Sequence, residues 1–298
     1  MLPTLCLIVA LLGADAPAEK PASGDRAFQA VADEFLAGYF AFRPHNALEL
    51  GLHEFDGKLA DYSQESLDRE RSRLALFEKR LSDLPTDTLS RAAQVDRQVL
   101  LAGLRKAVFE FDSHDIYHRL PNIYPQAVQI DNYLIRDFAP LAERVKSIIA
   151  VEKQIPRILA SARANLQPVL GRPIVETSIK VTNGAANFLQ DDLPKAIADL
   201  KDEALRAELN EANKIAVREL REYAKWLETE RLPKADHRFG LGKEKYAKML
   251  SDLELVTQSP DAILEFGMKE LRREQAVFAE TAKQINPTKP PIEVFQAI

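Results

Sequence analysis

The feature that most limits what this chain can fold into is a stripe of apolar residues: Leu205, Leu209, Ala212, Ala216, Leu220, Tyr223 and Leu227. They are spaced by three or four positions and run without a break toward Leu232-Pro233. An α-helix turns once every 3.6 residues, so this spacing puts all of them on one face, whereas a strand would scatter them to both sides. A stripe this long needs an apolar partner. A near-heptad seam of this kind predicts the inside of a helix bundle first, and a coiled coil with another chain second.

The same period recurs along the sequence. Phe28, Val31, Ala32, Phe35 and Tyr39 predict a helix over Arg26 to Ala41, ended by Pro44. Ser63 is an N-cap for a helix carrying Leu67, Leu74, Phe77 and Leu81, closed by Pro85, and Ser90 opens a similar helix with Leu101, Leu104, Val108 and Phe111. Pro140 starts a run from Leu141 to Leu166 that Pro156 must kink or divide. Val175, Ile179, Thr182, Ala186, Leu189 and Leu193 form another, interrupted at Pro194.

Asp112 to Tyr133, with Leu120-Pro121-Asn122-Ile123-Tyr124-Pro125 inside it, reads as an ordered loop packed on the bundle. Asp261 to Ile285 is a last long helix. No stretch alternates with period two, no Asn-Gly or Asp-Gly pair joins two such stretches, and no fixed-length repeat suggests a tetratricopeptide-like array. The expected fold class is all-α, a long-helix bundle.

The 46% hydrophobic content of 298 residues suffices for one large core or two modest ones. A net charge of -5 leaves no basic footprint, so nucleic acid is not an expected partner.

At the N-terminus, Leu5 to Leu12 is too short to span a bilayer, which takes roughly 20 apolar residues, but it fits the apolar core of a secretory signal. Small residues at Ala14, Ala16 and Ala18 supply the cleavage site, with cutting preferred after Ala18 because Pro17 would follow a cut at Ala16. A buried apolar N-terminal segment is the alternative, since the region before the run has no Lys or Arg. The expected organisation is a signal peptide over 1–18, a linker over 19–25 and a helical domain over 26–298. Cleavage removes Cys6, the only cysteine, and with it any disulfide chemistry; no membrane span remains.

Candidate chemistry is sparse. His53-Glu54 would need a second His at position 57 to place two imidazoles on one helix face, and Gly57 stands there, so the pair reads as part of a turn. His114 and His118 are four apart, with Asp115 nearby, but no Glu lies between them and Pro121 shortens any helix, so ordinary hydrogen bonding is expected. Asp191-Asp192, and Asp252 with Glu254, read as helix ends. Gly240-Leu241-Gly242-Lys243 lacks the spacing and the preceding strand of a phosphate loop. No catalytic or metal-binding residue is therefore assigned. Arg238 and Tyr246 flank this glycine turn and are the candidate cleft-lining residues, with packing and helix-surface roles as the alternative.

Several stretches together resemble the bacterial DUF885 proteins. They are Phe40-Ala41-Phe42-Arg43-Pro44, Leu50-Gly51-Leu52-His53-Glu54-Phe55-Asp56-Gly57, Leu59-Ala60-Asp61-Tyr62-Ser63, and Ile135 to Pro140 with Glu143-Arg144. Ile155-Pro156-Arg157, Ala164-Asn165-Leu166, Phe239 to Tyr246 and Ser259 to Leu264 with Phe266-Gly267 continue the series in order. The resemblance implies an exported, largely helical, zincin-like metallopeptidase relative. In such enzymes a zinc ion held by a His-Glu-x-x-His helix and a further Glu polarises the peptide carbonyl, and a Glu takes the proton from water.

That motif belongs to the C-terminal half of the family fold and is not in this chain. Zinc is therefore expected only outside these residues, and the chain is expected to be the N-terminal half, truncated and inactive alone. It would meet peptide substrate together with the missing half. A non-catalytic exported helical binding or scaffold protein is the alternative. Ile292 to Ile298 starts a new apolar pattern, and little sequence remains to cover Leu264, Leu271, Phe278 and Ile285, with Val294 and Phe295 nearby. An exposed apolar surface is expected there.

Overall fold

The computed structural model describes residues 22–298; the expected signal peptide and its cleavage site lie outside that range. The first helices form where caps and prolines direct them. α1 (Asp25–Phe42) and α2 (Pro44–Glu49) meet at Arg43, and Pro44 supplies the fixed φ of a first helical residue. α3 (Gln64–Ser82) begins at Ser63, whose hydroxyl accepts the Ser66 amide, and α4 (Arg91–Phe109) begins at Ser90, which accepts the Ala93 amide.

The stretch expected as a loop folds instead into three single-turn helices: α5 (Ile116–Arg119), α6 (Ile123–Gln126) and α7 (Asp131–Ile135). Pro121 forces Leu120 into an extended conformation and cuts the helical run short, and Tyr124 and Tyr133 are buried as anchors. Their hydroxyls are engaged: Tyr124 donates to the Tyr117 carbonyl at 2.6 Å, and Tyr133 accepts the Gly57 amide at 2.9 Å.

α8 (Leu141–Glu152) and α9 (Ile155–Asn165) are divided at Pro156 as the sequence predicts. α10 (Arg172–Asn187) widens into a π-helical turn at Phe188–Asp192 before α11 (Leu193–Ala196), where Pro194 takes an early helical position. α12 (Glu203–Trp226) ends in a second such turn, Leu227–Arg231. The remaining helices are α13 (Lys243–Asp252), α14 (Pro260–Ile285) and α15 (Pro291–Gln296). Among the described residues the only β-type pairing is a parallel bridge between Gly171 and Asp236, so the fold is all-α.

The chain divides into two compact units, the first ending at Gly240 and the second running Leu241–Ile298. α12 is the spine of the first. It packs on α8, α9 and α10, and every residue of its predicted stripe is buried. α10 turns Ser178 and Thr182 into this contact, each hydroxyl donating back to its own helix at 2.7 Å, so that small side chains face the seam without an unpaired polar group. A second apolar cluster joins α1, α3 and α4 through Phe28, Phe35, Leu74, Phe77 and Leu104.

The stretches that carry the family resemblance act here as fold locks. Arg43, buried between α1 and α2, reaches Glu70 at 2.7 Å and lies over the Tyr39 and Phe42 rings. Burial works against its charge, yet Tyr117, Tyr39 and Glu70 around it hold its pKa above the usual arginine range. Arg144 donates to the Ala139 and Tyr133 carbonyls and to Asp137, fixing the approach to α8. The Gly57–Ser63 segment is held from α9 and the turn before it. Gln154 donates to the Gly57 carbonyl at 2.8 Å, Arg157 pairs with Asp61 at 3.0 Å, and Asn165 donates to the Tyr62 carbonyl at 2.7 Å.

In the second unit α14 is entered through Ser259, which accepts the Ala262 amide, and α15 packs on it. The expected exposed face is present: Leu264, Leu271, Phe278 and Ile285 all lie at the surface. Val294 differs from that expectation and is buried along with Ala282, because α15 packs back on α14, while Phe295 remains exposed with its ring 6.1 Å from that of Phe278. No helix among the described residues is long and apolar enough to cross a membrane.

Candidate functional site

The site is assembled by three loops of the first unit. The first follows the π-helical turn Glu110–His114, where Asp115 adopts a left-handed conformation (φ 54°) and reverses the chain into α5. That conformation is strained for most residues and tolerated by Asp, whose short carboxylate bonds locally. One oxygen of Asp115 meets His118 Nδ1 at 2.5 Å, and the other accepts from Gln167 Nε2 at 2.9 Å. His118 Nε2 lies 3.3 Å from Gln64 Oε1. The Gln167 amide donates to the His118 carbonyl, which ties this turn to the second loop, between α9 and α10.

That second loop bonds to the third. The Asp236 amide donates to the Leu170 carbonyl at 3.0 Å and the Arg172 amide donates to the Asp236 carbonyl at 2.6 Å. Gly171 is required for the approach, because a Cβ there would stand 2.8 Å from the Phe239 Cβ. Asp236 then orients Arg238, accepting from its backbone amide at 2.9 Å and its guanidinium at 2.6 Å. These bonds, the backbone one foremost, hold the Asp236 carboxyl below its usual pKa.

Between the loops lies a recess of about 280 Å³. Val169, Leu170, Gly171 and Ile174 give it apolar surface; Arg119, Gln167, Asp236 and Arg238 give it polar surface. Arg119 is half-buried and its guanidinium has no hydrogen-bond or ion-pair partner among the described residues. The structure therefore places Arg238, picked from the sequence, at a recess wall. It places Tyr246 on α13 in the second unit, half-exposed, and does not include it in the recess.

Sequence reasoning missed Arg119, Gln167, Gly171 and Asp236, which are scattered over more than a hundred positions. An Asp three residues before a His, Asp115 and His118, was the one local signal available, and neither residue lines the recess itself.

The histidine pairs weighed from the sequence are engaged in other contacts. His53 spends Nδ1 on Asp56 at 3.1 Å and stacks on Phe138 at 3.8 Å in the turn expected of it, and His118 is engaged on both sides by Asp115 and Gln64. Among the described residues no three His, Cys, Asp or Glu side chains come together as a donor set. His45 is half-buried beside Arg43 with its Nδ1 enclosed, and desolvation with that neighbouring charge pushes its pKa down to about 4, so it is neutral at ordinary pH. Glu152, buried in the core, has its pKa pushed up to about 7 by desolvation, opposed only by the hydrogen bond from Asn213.

No curated protein matches the chain significantly. A solved structure from Shewanella oneidensis, described as that of a candidate lipoprotein of unknown function, is similar with a TM-score of 0.73 and 22% identity. The match covers 88% of this chain and 49% of that one, so the present chain spans about half the length of the structure it resembles; at this identity the likeness speaks for the fold. The family described as "Bacterial protein of unknown function (DUF885)" matches over residues 44–298. The chain is a member of the DUF885 family.

Proposed function

We propose that this chain forms one wall of the substrate cleft of an exported zincin-like peptidase, with the zinc-binding half of the fold contributed by residues outside these 298. The observation that carries the reading is the α14 face. A helix of 26 residues buries only Ala282, while Leu264, Phe266, Leu271, Phe278 and Ile285 face solvent. Covering one large apolar side chain is worth roughly 1.5–3 kcal/mol, so a face of this size is a strong drive for docking. The half-length match to the Shewanella structure supports a docking partner in the form of the rest of the fold. Peptide is the substrate class, and this chain's own residues bind and orient it rather than perform the proton transfers. Export, with a periplasmic or extracellular destination, is supported by the Leu5–Leu12 run and by the description of the similar structure as a candidate lipoprotein.

The test is limited proteolysis of the purified chain with and without a polypeptide carrying the other half of the family fold. Cleavage is expected first between Leu232 and Ile298, with Arg26 to Leu227 resistant, and the added half should protect the C-terminal segment and confer zinc-dependent peptidase activity. Uniform resistance through Ile298 in a strictly monomeric sample would transfer the function to a non-catalytic helical scaffold. Export is checked by N-terminal sequencing, with Glu19 expected as the first residue of the exported protein.

A further inference from the structure

We infer that the recess between Arg119 and Arg238 is a subsite for the terminal carboxylate of a peptide whose last side chain is aliphatic. The inference rests on the reading of the first unit as a cleft wall. Its observations are confined to that unit.

The charge of the recess selects the ligand. Two guanidiniums line it, from segments more than a hundred residues apart, with one carboxylate, Asp236, that is already committed to Arg238. The balance is one net positive charge, which suits a monovalent carboxylate better than a phosphate dianion. Arg119 is the group available to meet it: half-buried, on the short helix after Asp115, and without an acidic partner among the described residues. A planar guanidinium takes a carboxylate in a two-point fork, which an ammonium cannot reproduce.

The apolar surface selects the rest. Val169 and Ile174 lie beside these charges, so a group that is anionic at one end and aliphatic at the other satisfies both parts. An acidic side chain in mid-peptide would bring its polar backbone against the apolar surface instead. At about 280 Å³ the recess is at the small end of ligand pockets, sized for one residue rather than an extended chain. The position of Arg238 is built in by Asp236 and by the close approach of Phe239 to Gly171.

The experiment titrates the purified chain by NMR with acetyl-Ala-Leu, its C-terminal amide, and acetyl-Asp-Ala-amide. Acetyl-Ala-Leu is expected to bind with a Kd on the order of 1 mM, and both amidated peptides at least about tenfold more weakly. Arg119→Gln, checked for unchanged thermal unfolding, should lose about tenfold for the free acid and nothing for the amides; Arg119→Lys should lose less, because it keeps the charge but not the fork.

Equal binding of acid and amide, no binding of acetyl-Ala-Leu at tens of millimolar, or wild-type affinity in a folded Arg119→Gln chain would each overturn the inference. Equal binding of acetyl-Asp-Ala-amide would overturn the terminal assignment. None of these results bears on whether the other half of the fold protects α14. That protection experiment alone judges the cleft-wall reading.

Discussion

α12 and α14 are amphipathic helices of nearly equal length, 24 and 26 residues, each entered through a side-chain N-cap. α12 buries Leu205, Leu209, Ala212, Ala216, Leu220, Tyr223 and Ala224, whereas α14 buries Ala282 alone. The local sequence makes both helices equally well. What differs is tertiary: α8, α9 and α10 cover the apolar face of α12, while within the second unit α14 has only α13 and the six-residue α15 to pack on. Helix formation and helix burial are thus separate properties, and the second depends on what else is present to pack.

The largest effect that probes this contrast concerns charge. Glu70 is buried and holds both Arg43 and Arg73, while Glu270 in α14 meets Arg273 in the open. Glu70→Ala strands a buried guanidinium and should lower unfolding stability by about 3–5 kcal/mol; Glu270→Ala should change it by less than about 0.5 kcal/mol. Urea melts of the two variants make the measurement, and a small effect at Glu70 would show that Arg43 reaches water.

Leucines come next. Leu220 is fully buried in the α12 seam, and Leu220→Ala should cost about 2–5 kcal/mol, whereas Leu271→Ala on the exposed face should fall within about 0.5 kcal/mol of wild type. The same Leu271→Ala chain should show a clear loss when the other half of the fold is present to cover α14. A large loss in the isolated chain would mean that something already covers that face.

The core of the first unit also carries a pH signature that a solvent-exposed face cannot. Glu152 is buried with one oxygen unpartnered and its pKa pushed up to about 7, so between about pH 4.5 and 7 the folded chain holds a proton that the unfolded chain has released. Raising the pH through that window favours unfolding, by up to about 3 kcal/mol above pH 7. Glu152→Gln imitates the protonated form and should flatten the profile, leaving the variant more stable than wild type at pH 8 and indistinguishable at pH 4. Parallel profiles for the two proteins would show that water reaches the carboxylate.

These contrasts also mark how far the sequence could be read. Helices, caps and proline breaks were legible because each depends on residues a few positions apart: Ser63, Ser90, Pro156 and the stripe of α12 all behave as their spacing requires. The apolar stripe of α14 was legible for the same reason, since Leu264, Leu271, Phe278 and Ile285 recur at helical spacing. The turns α5 to α7 were not, because prolines there suggested a loop while buried Tyr117, Tyr124 and Tyr133 pin one turn each in place. The recess was legible only at Arg238, beside its glycine turn. Arg119 has no local pattern around it, and its relation to residues 169–174 and 236–238 exists only after the loops bond to one another.

The smallest expected effect sharpens the comparison most, because it isolates the local term that the two helices share. Asp202 accepts the Leu205 amide at 3.0 Å at the start of α12, and Ser259 accepts the Ala262 amide at 3.2 Å at the start of α14. Removing either cap should cost its helix about 1 kcal/mol. In α12 that loss is coupled to the packed core, so Asp202→Ala should lower the global unfolding free energy by about that amount and move the urea midpoint. In α14 the first turn has no buried side chain to couple it to anything, so Ser259→Ala should leave the midpoint in place. It should instead raise amide exchange about fivefold over residues 262–264, the factor that about 1 kcal/mol of local opening corresponds to. A shift of the global midpoint by Ser259→Ala would show that α14 is held by tertiary contacts after all, and the distinction between the two helices would fail.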